Sequence, residues 1–235
     1  RPILYGGQPL TGWTTDGAYQ VATLPAQPPS IYRTNWVVRD LLVDNVRVTR
    51  ARFPDYLNWL QYVPSNNSFT ILKYQNADIP SDLVVTNAEV ELRFSFDADC
   101  LGVESHDVPN KLLTLTPPAH RLIGSGVVTF FTDYAVYNTI EGMAVGRFYH
   151  DRANGKVFVQ TNSLAGKTVI VPTTETCIWI NGATNVVLQG LTVRSCSSEF
   201  RADNFCGVGV NGAIHGRADT TIINCTVENV GVGGI

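Results

Sequence analysis

The sequence predicts an all-β protein whose C-terminal part winds as a parallel β-helix, and three observations predict it. Strand signals run along the chain: "RDLLVDNVRVTRARF", "NSFTILKY", "DLVVTNAEVELRFSF" and "VVTFFTDYAVY" are rich in Val, Thr, Phe and Tyr and are separated by Pro, Asn, Asp and Gly. Near the C-terminus, "NVVLQGLTVRSC" (185–196) spaces Val186, Leu188, Leu191 and Val193 two, three and two apart, and thirty-four residues later "DTTIINCTVENV" (219–230) repeats that spacing with Thr220, Ile222, Cys225 and Val227. A second correspondence sets "CIWING" against "GVGVNG" at an offset of 30, matching Ile178 to Val208 and Ile180 to Val210.

From Arg39 onward the chain alternates strand signals with turns as far as "RFYHDRANGKVFVQT". That stretch reads as a hairpin, with Asn154-Gly155 as the turn and Phe148 and Val157 to Val159 on the arms. Long amphipathic helices are missing, and only "DYLNWLQYV" suits a short helical turn. The repeat that follows is a broken alternation. In a strand, successive side chains alternate faces, so two-residue spacing keeps Val186 and Leu188 on one side. A step of three throws Leu191 to the other side unless the backbone bends at Gly190, and Gly or Asn tolerates the left-handed conformation such a bend needs. Asn224 stands at the same place in the second copy. Strands and bends recurring at a fixed interval make one coil of a parallel β-helix, in which like residues stack at about 4.8 Å, Leu191 on Cys225 and Val193 on Val227. The closing "GVGGI" reads as the start of a third coil, so a longer solenoid is expected.

Composition narrows the setting. A formal net charge of −3 with 16% charged residues offers no basic field for nucleic acid, and no apolar run suits a membrane span. Five cysteines are too few for a disulfide scaffold and lack zinc spacing, and the four histidines are scattered, so no metal site or cofactor is expected. Cys196 and Cys206 flank the polar loop "CSSEFRADNFC" and are the expected disulfide, which implies an oxidising compartment, while Cys225 takes a core position. Asn66 and Asn224 begin glycosylation triplets. Two other motifs are refused. "GVGVNG" fits a dinucleotide-binding pattern but precedes no helix, and "LAGKTV" lacks the first glycine of a phosphate loop.

With these elements in place, three further stretches carry a family likeness: "RPILYGGQPLTGW", "RDLLVDNVRVTRARFPD" and "EGMAVGRFYHDRANGKVFV". Together with "NVVLQGLTV" and "IINCTVEN", they resemble the large right-handed parallel β-helix proteins related to glycoside hydrolases, in the pectate-lyase-like superfamily, which carry a β-sandwich-like domain inserted near the start of the helix. The chain departs from that pattern at Asn45, where the family has Gly, and at Phe148, where it has Trp. The resemblance implies a first β-helix segment over residues 1–37, an inserted β-sandwich-like domain over 38–165 and resumed β-helix coils over 166–235. It also implies that the catalytic carboxylates lie on later coils outside this sequence.

The residues expected to touch a saccharide are Trp179, Glu199, Asp203 and Arg52. Trp179 alternates with Ile178 and Ile180 and should face outward, where an aromatic ring stacks on a pyranose or packs on a neighbouring domain. Glu199 and Asp203 sit on the polar loop, a place for sugar contacts or simply a solvated surface. Arg52, with Arg47 and Arg50, suits either a salt bridge at a domain interface or an acidic or hydroxylated sugar. Glu228 follows Val227 and should point outward. The expected function is an extracellular carbohydrate-active protein, glycoside hydrolase-like and acting on a polysaccharide. The rival is a non-catalytic structural or adhesive β-helix protein of a filament or cell surface, for which self-assembly is expected. Fold alone does not decide between them.

Overall fold

The computed structural model describes residues 1–26, 37–64, 67–94, 98–124, 132–174, 176–180, 183–196, 214–215 and 219–230. Its regular elements are strands, apart from one 3₁₀ turn at Ile140–Gly142, and the protein is all-β. Two compact units share the chain: Arg1–Thr49 with Lys156–Glu199 and Gly209–Ile235, and Arg50–Gly155 with Phe200–Val208.

The second unit is built on an antiparallel sheet in the order Arg52–Phe53, Asp133–Tyr137, Glu89–Arg93, Ala98–Asp107, Leu112–Thr116, Ile71–Lys73, and Leu60–Gln61 also pairs with Asp133–Tyr137. The alternation in "EVELRF" decides its two faces. Val90, Leu92 and Phe94 join Leu101, Tyr134 and Val136 in a closed apolar core. Glu89, Glu91 and Arg93 therefore point to the opposite face, where Glu89 stands between Tyr137 and Gly102 in register. The helical turn expected in "DYLNWLQYV" shrinks to a bend, with Asn58 N donating to Asp55 O at 2.8 Å before the strand Leu60–Gln61 begins.

The first unit holds antiparallel ladders of its own, which set Gly7–Pro9, Val169–Pro172, Leu41–Val43 and Val46–Arg50 side by side. Val43 pairs with Val46 across Asp44-Asn45, whose φ angles of 49° and 65° are those of a tight hairpin turn. Asn45 thus takes the left-handed conformation for which the resembling family uses Gly. The strands Thr14–Asp16 and Tyr19–Thr23 pair with each other, and Tyr19–Thr23 pairs with Lys156–Gln160, all antiparallel.

Parallel pairing is found in the repeat. Val186–Gln189 lies along Thr220–Ile223 and Thr192–Arg194 along Thr226–Glu228, both at the thirty-four-residue offset of the sequence pattern. Ile3–Tyr5 joins the latter pair as a third parallel strand, with Leu4 opposite Val193. The bends fall at Gly190 and Asn224, at φ 69° and 49°. Val193 is wholly buried and packs with Leu188, Ile222 and Val227. Leu191 and Cys225 are only half-buried; the Cys225 thiol lies 3.6 Å from Leu188 O and 3.5 Å from Ile223 O, against backbone.

Two sequence expectations are corrected. Ile178 pairs with Ile214, an offset of 36, and not with Val208 at 30; Val208 and Val210 lie outside the described residues. The glycine-rich likeness of "CIWING" to "GVGVNG" reflects shared composition, whereas the ladder follows the buried pair Ile178 and Ile214. Cys196 bonds Cys177, with Cα atoms 6.6 Å apart, and not Cys206, which is outside the described residues. The reason is the turn of the chain: Cys177 packs on the same apolar cluster that buries Cys196. Gly6 makes room for the bridge, since a Cβ there would lie 2.8 and 2.9 Å from the two sulfurs.

Candidate functional site

In a parallel in-register sheet, equivalent positions line up as rows across the strands. Leu4, Val193 and Val227 form the inward row, so the next position, Tyr5, Arg194 and Glu228, forms an outward one. Arg194 Nη2 meets Glu228 Oε1 at 2.5 Å, and the guanidinium lies 5.7 Å from the centroid of the Tyr5 ring. Asn45 Nδ2 donates to Glu228 Oε1 at 3.5 Å, and Asn229 Nδ2 donates to Asn45 O at 2.8 Å. Tyr5 is exposed, while Arg194 and Glu228 are half-buried. Arg194 Nε is buried without a hydrogen-bond partner.

The row combines a flat apolar ring with a fixed guanidinium and a carboxylate. Such a set takes the apolar face of a pyranose on the ring and its vicinal hydroxyls on the charged groups. It holds one carboxylate, where glycosidic cleavage needs two flanking the bond. Glu228 was legible as an outward position in the repeat. Tyr5 and Arg194 were not singled out, although Arg194 precedes Glu228 by the same thirty-four residues.

The other expected residues are dispersed or recast. Trp179 is 46% exposed and stands opposite His215 in its ladder, pointing away from the cluster that holds Ile178. Glu199, Asp203 and Asn66 lie outside the described residues; Asn224 is exposed. Arg52 is not a surface contact: it is 1% exposed, and its Nη1 donates to Pro54 O, Asp55 O and Asn58 O at 2.8, 2.9 and 2.9 Å. Nη1 carries two N–H donors, and they are shared among three carbonyls of a single loop, so the buried Arg52 shapes that loop. Arg50 pairs with Glu89 at 2.6 Å and Arg47 with Asp40 at 2.8 Å.

One further pair resembles a general-base dyad and is occupied. Asp99 Oδ1 lies 2.8 Å from His120 Nδ1, but Arg121 Nε donates to His120 Nε2 at 3.1 Å, covering the nitrogen that would abstract a proton. Among the described residues no group of three His, Cys, Asp or Glu side chains could hold a metal, and no helix is long and apolar enough to cross a membrane.

No protein-family profile and no curated protein matches the chain. A solved structure titled "Glycoside hydrolase" superposes on it with a TM-score of 0.61, at 19% identity, over 90% of this chain and 39% of its own. The likeness shows a glycoside hydrolase-like fold, and the chain spans about two fifths of that protein's length.

Proposed function

We propose that the chain is part of an extracellular, carbohydrate-active, right-handed parallel β-helix protein, glycoside hydrolase-like and acting on a polysaccharide. In this reading residues 1–37 and 166–235 belong to the β-helix and 38–165 to an inserted β-sandwich-like domain, and the catalytic carboxylates come from coils outside this sequence. The observation that carries the reading is the match in fold, over nine tenths of the chain, to a solved protein named as a glycoside hydrolase. The parallel ladders at a thirty-four-residue offset support the β-helix, and the disulfide Cys177–Cys196 supports an oxidising compartment. The row Tyr5, Arg194 and Glu228 gives a saccharide a place to bind without giving it both groups needed for cleavage.

The test is an assay of the 235-residue chain and of the full-length gene product on neutral plant and algal oligosaccharides. Binding by the chain that falls at least tenfold in Tyr5→Ala, with hydrolysis only by the longer protein, supports the proposal. Hydrolysis by the chain that disappears in Glu228→Gln moves the catalytic centre onto the row. Binding and hydrolysis by neither form overturns the enzyme reading in favour of a structural or adhesive rod.

A further inference from the structure

The polar face of the sheet in the Arg50–Gly155 unit carries a second arrangement that has no part in the row above. Trp59 stands between two guanidinium groups: Arg93 Cζ is 3.9 Å and Arg52 Cζ 4.3 Å from its ring centroid. The two arginines differ in what they have left to offer. Arg52 is buried and spends Nη1 on three carbonyls. Arg93 is 49% exposed, and its ion-pair partner among the described residues is Glu91, with Nε 4.0 Å from Oε1. Glu91 is itself engaged, because the Tyr137 hydroxyl hydrogen-bonds to it and the phenol is raised above its usual range by burial and by that carboxylate. Among the described residues, Nη1 and Nη2 of Arg93 have no hydrogen-bond partner.

The floor beneath this guanidinium is rigid. Arg52 ties Pro54, Asp55 and Asn58 together, Asp55 Oδ1 accepts from Tyr56 N at 2.7 Å, and Arg147 pairs with Asp55. The loop so fixed presents Tyr56, whose exposed ring lies 5.6 Å from Arg52 Cζ, and Leu57, 94% exposed. A half-exposed guanidinium held flat on an indole, with both terminal nitrogens unpaired among the described residues, has lost the rotamer entropy that an ordinary surface arginine loses on binding. Its fork of parallel N–H groups matches two oxygens of one anion.

We infer that Arg93, stacked on Trp59, is a binding site for an oxyanion carried on a saccharide ring, a uronate carboxylate or a sulfate ester. The oxyanion part stands on Arg93 and Trp59 alone; the saccharide part rests on the function proposed above. Arg93 takes the two anion oxygens through Nη1 and Nη2.

The experiment titrates the 235-residue chain with an oligogalacturonate, a sulfated galactan oligosaccharide and the neutral galactan oligosaccharide of the same length, at fixed low ionic strength, by calorimetry and tryptophan fluorescence. At least one anionic ligand is expected to bind tenfold or more tighter than the neutral one, and the stronger of the two identifies the anion as carboxylate or sulfate. Arg93→Ala is expected to abolish that preference, Arg93→Lys to leave most of it lost, and Tyr5→Ala to leave it intact. Equal binding of anionic and neutral ligands, or an undiminished preference in Arg93→Ala, overturns the inference. Anion binding through Arg93 in a chain that fails to bind any neutral saccharide upholds this site and counts against the outward row.

Discussion

The seven-strand antiparallel sheet and the three-strand parallel ladder bury their apolar residues to different depths. In the antiparallel sheet, Leu92, Leu101, Leu113 and Leu115 come from three strands and all are essentially inaccessible. In the parallel ladder, Val193 of the middle strand is 0% exposed, yet Leu4, its register partner on the outer strand, is 40% exposed. Residues of one kind, pointing the same way, differ because a stacked layer is covered only by the layers on either side of it. The apolar core beside the antiparallel sheet covers all three of those strands; the ladder covers its middle one.

That contrast is broken or sharpened by five measurements. The largest expected effect is acid sensitivity, since the antiparallel unit buries a titratable group that the ladder lacks. His150 is held by Asn138, which accepts from His150 N and donates to His150 O, both at 2.8 Å. Burial first, then Arg152 and Arg50, pushes its imidazole down to about 3, against the opposing charges of Asp151 and Glu89. Folded His150 is therefore neutral while the unfolded chain takes up a proton below its ordinary range. Stability is unaffected at pH 7 and falls as the pH drops from about 6.5 towards 3, by as much as ~4 kcal/mol. Urea unfolding at pH 7, 5 and 4 checks this, and His150→Gln should flatten the dependence.

Next comes Leu101→Ala, a fully buried truncation expected to cost roughly 3–4 kcal/mol in denaturant unfolding. Cys196→Ser should cost about 3 kcal/mol, because the bridge closes a loop of 19 residues. Val193→Ala should cost ~2 kcal/mol and Leu4→Ala under ~1 kcal/mol, although both occupy the inward row. Equal costs for the last two would show that the outer strand is covered as fully as the middle one.

The ladder was readable in the sequence because its restraint is local and periodic. The spacing of Val186, Leu188, Leu191 and Val193, with a left-handed residue at the break, admits few other backbones, and the offset reappears in the register. The partner of Ile178 was misread because "GVGVNG" mimics "CIWING" in composition, and a likeness in composition contains no information about loop length. The disulfide was misassigned for a related reason. Nearness in sequence favoured Cys206, whereas the chain returns Cys177 to the side of Cys196. Tyr5 escaped notice because three residues are too short to display a repeat, and its row exists only through pairing with strands far along the chain. Arg52 carries no mark in the sequence that separates an arginine binding its own loop from one awaiting a ligand; that distinction lies in three carbonyl oxygens.

The pairing of Ile3 with Thr192 sets a timetable for synthesis. At about 5–20 residues per second, the ribosome releases Ile3–Tyr5 roughly 10–40 s before the strand that receives it. During that interval the described strands from Arg52–Phe53 to Asp133–Tyr137 emerge with their mutual partners and can close their sheet. A three-residue strand made before that sheet is thus placed after it, and its apolar side chains stay without their ladder partners in the interval.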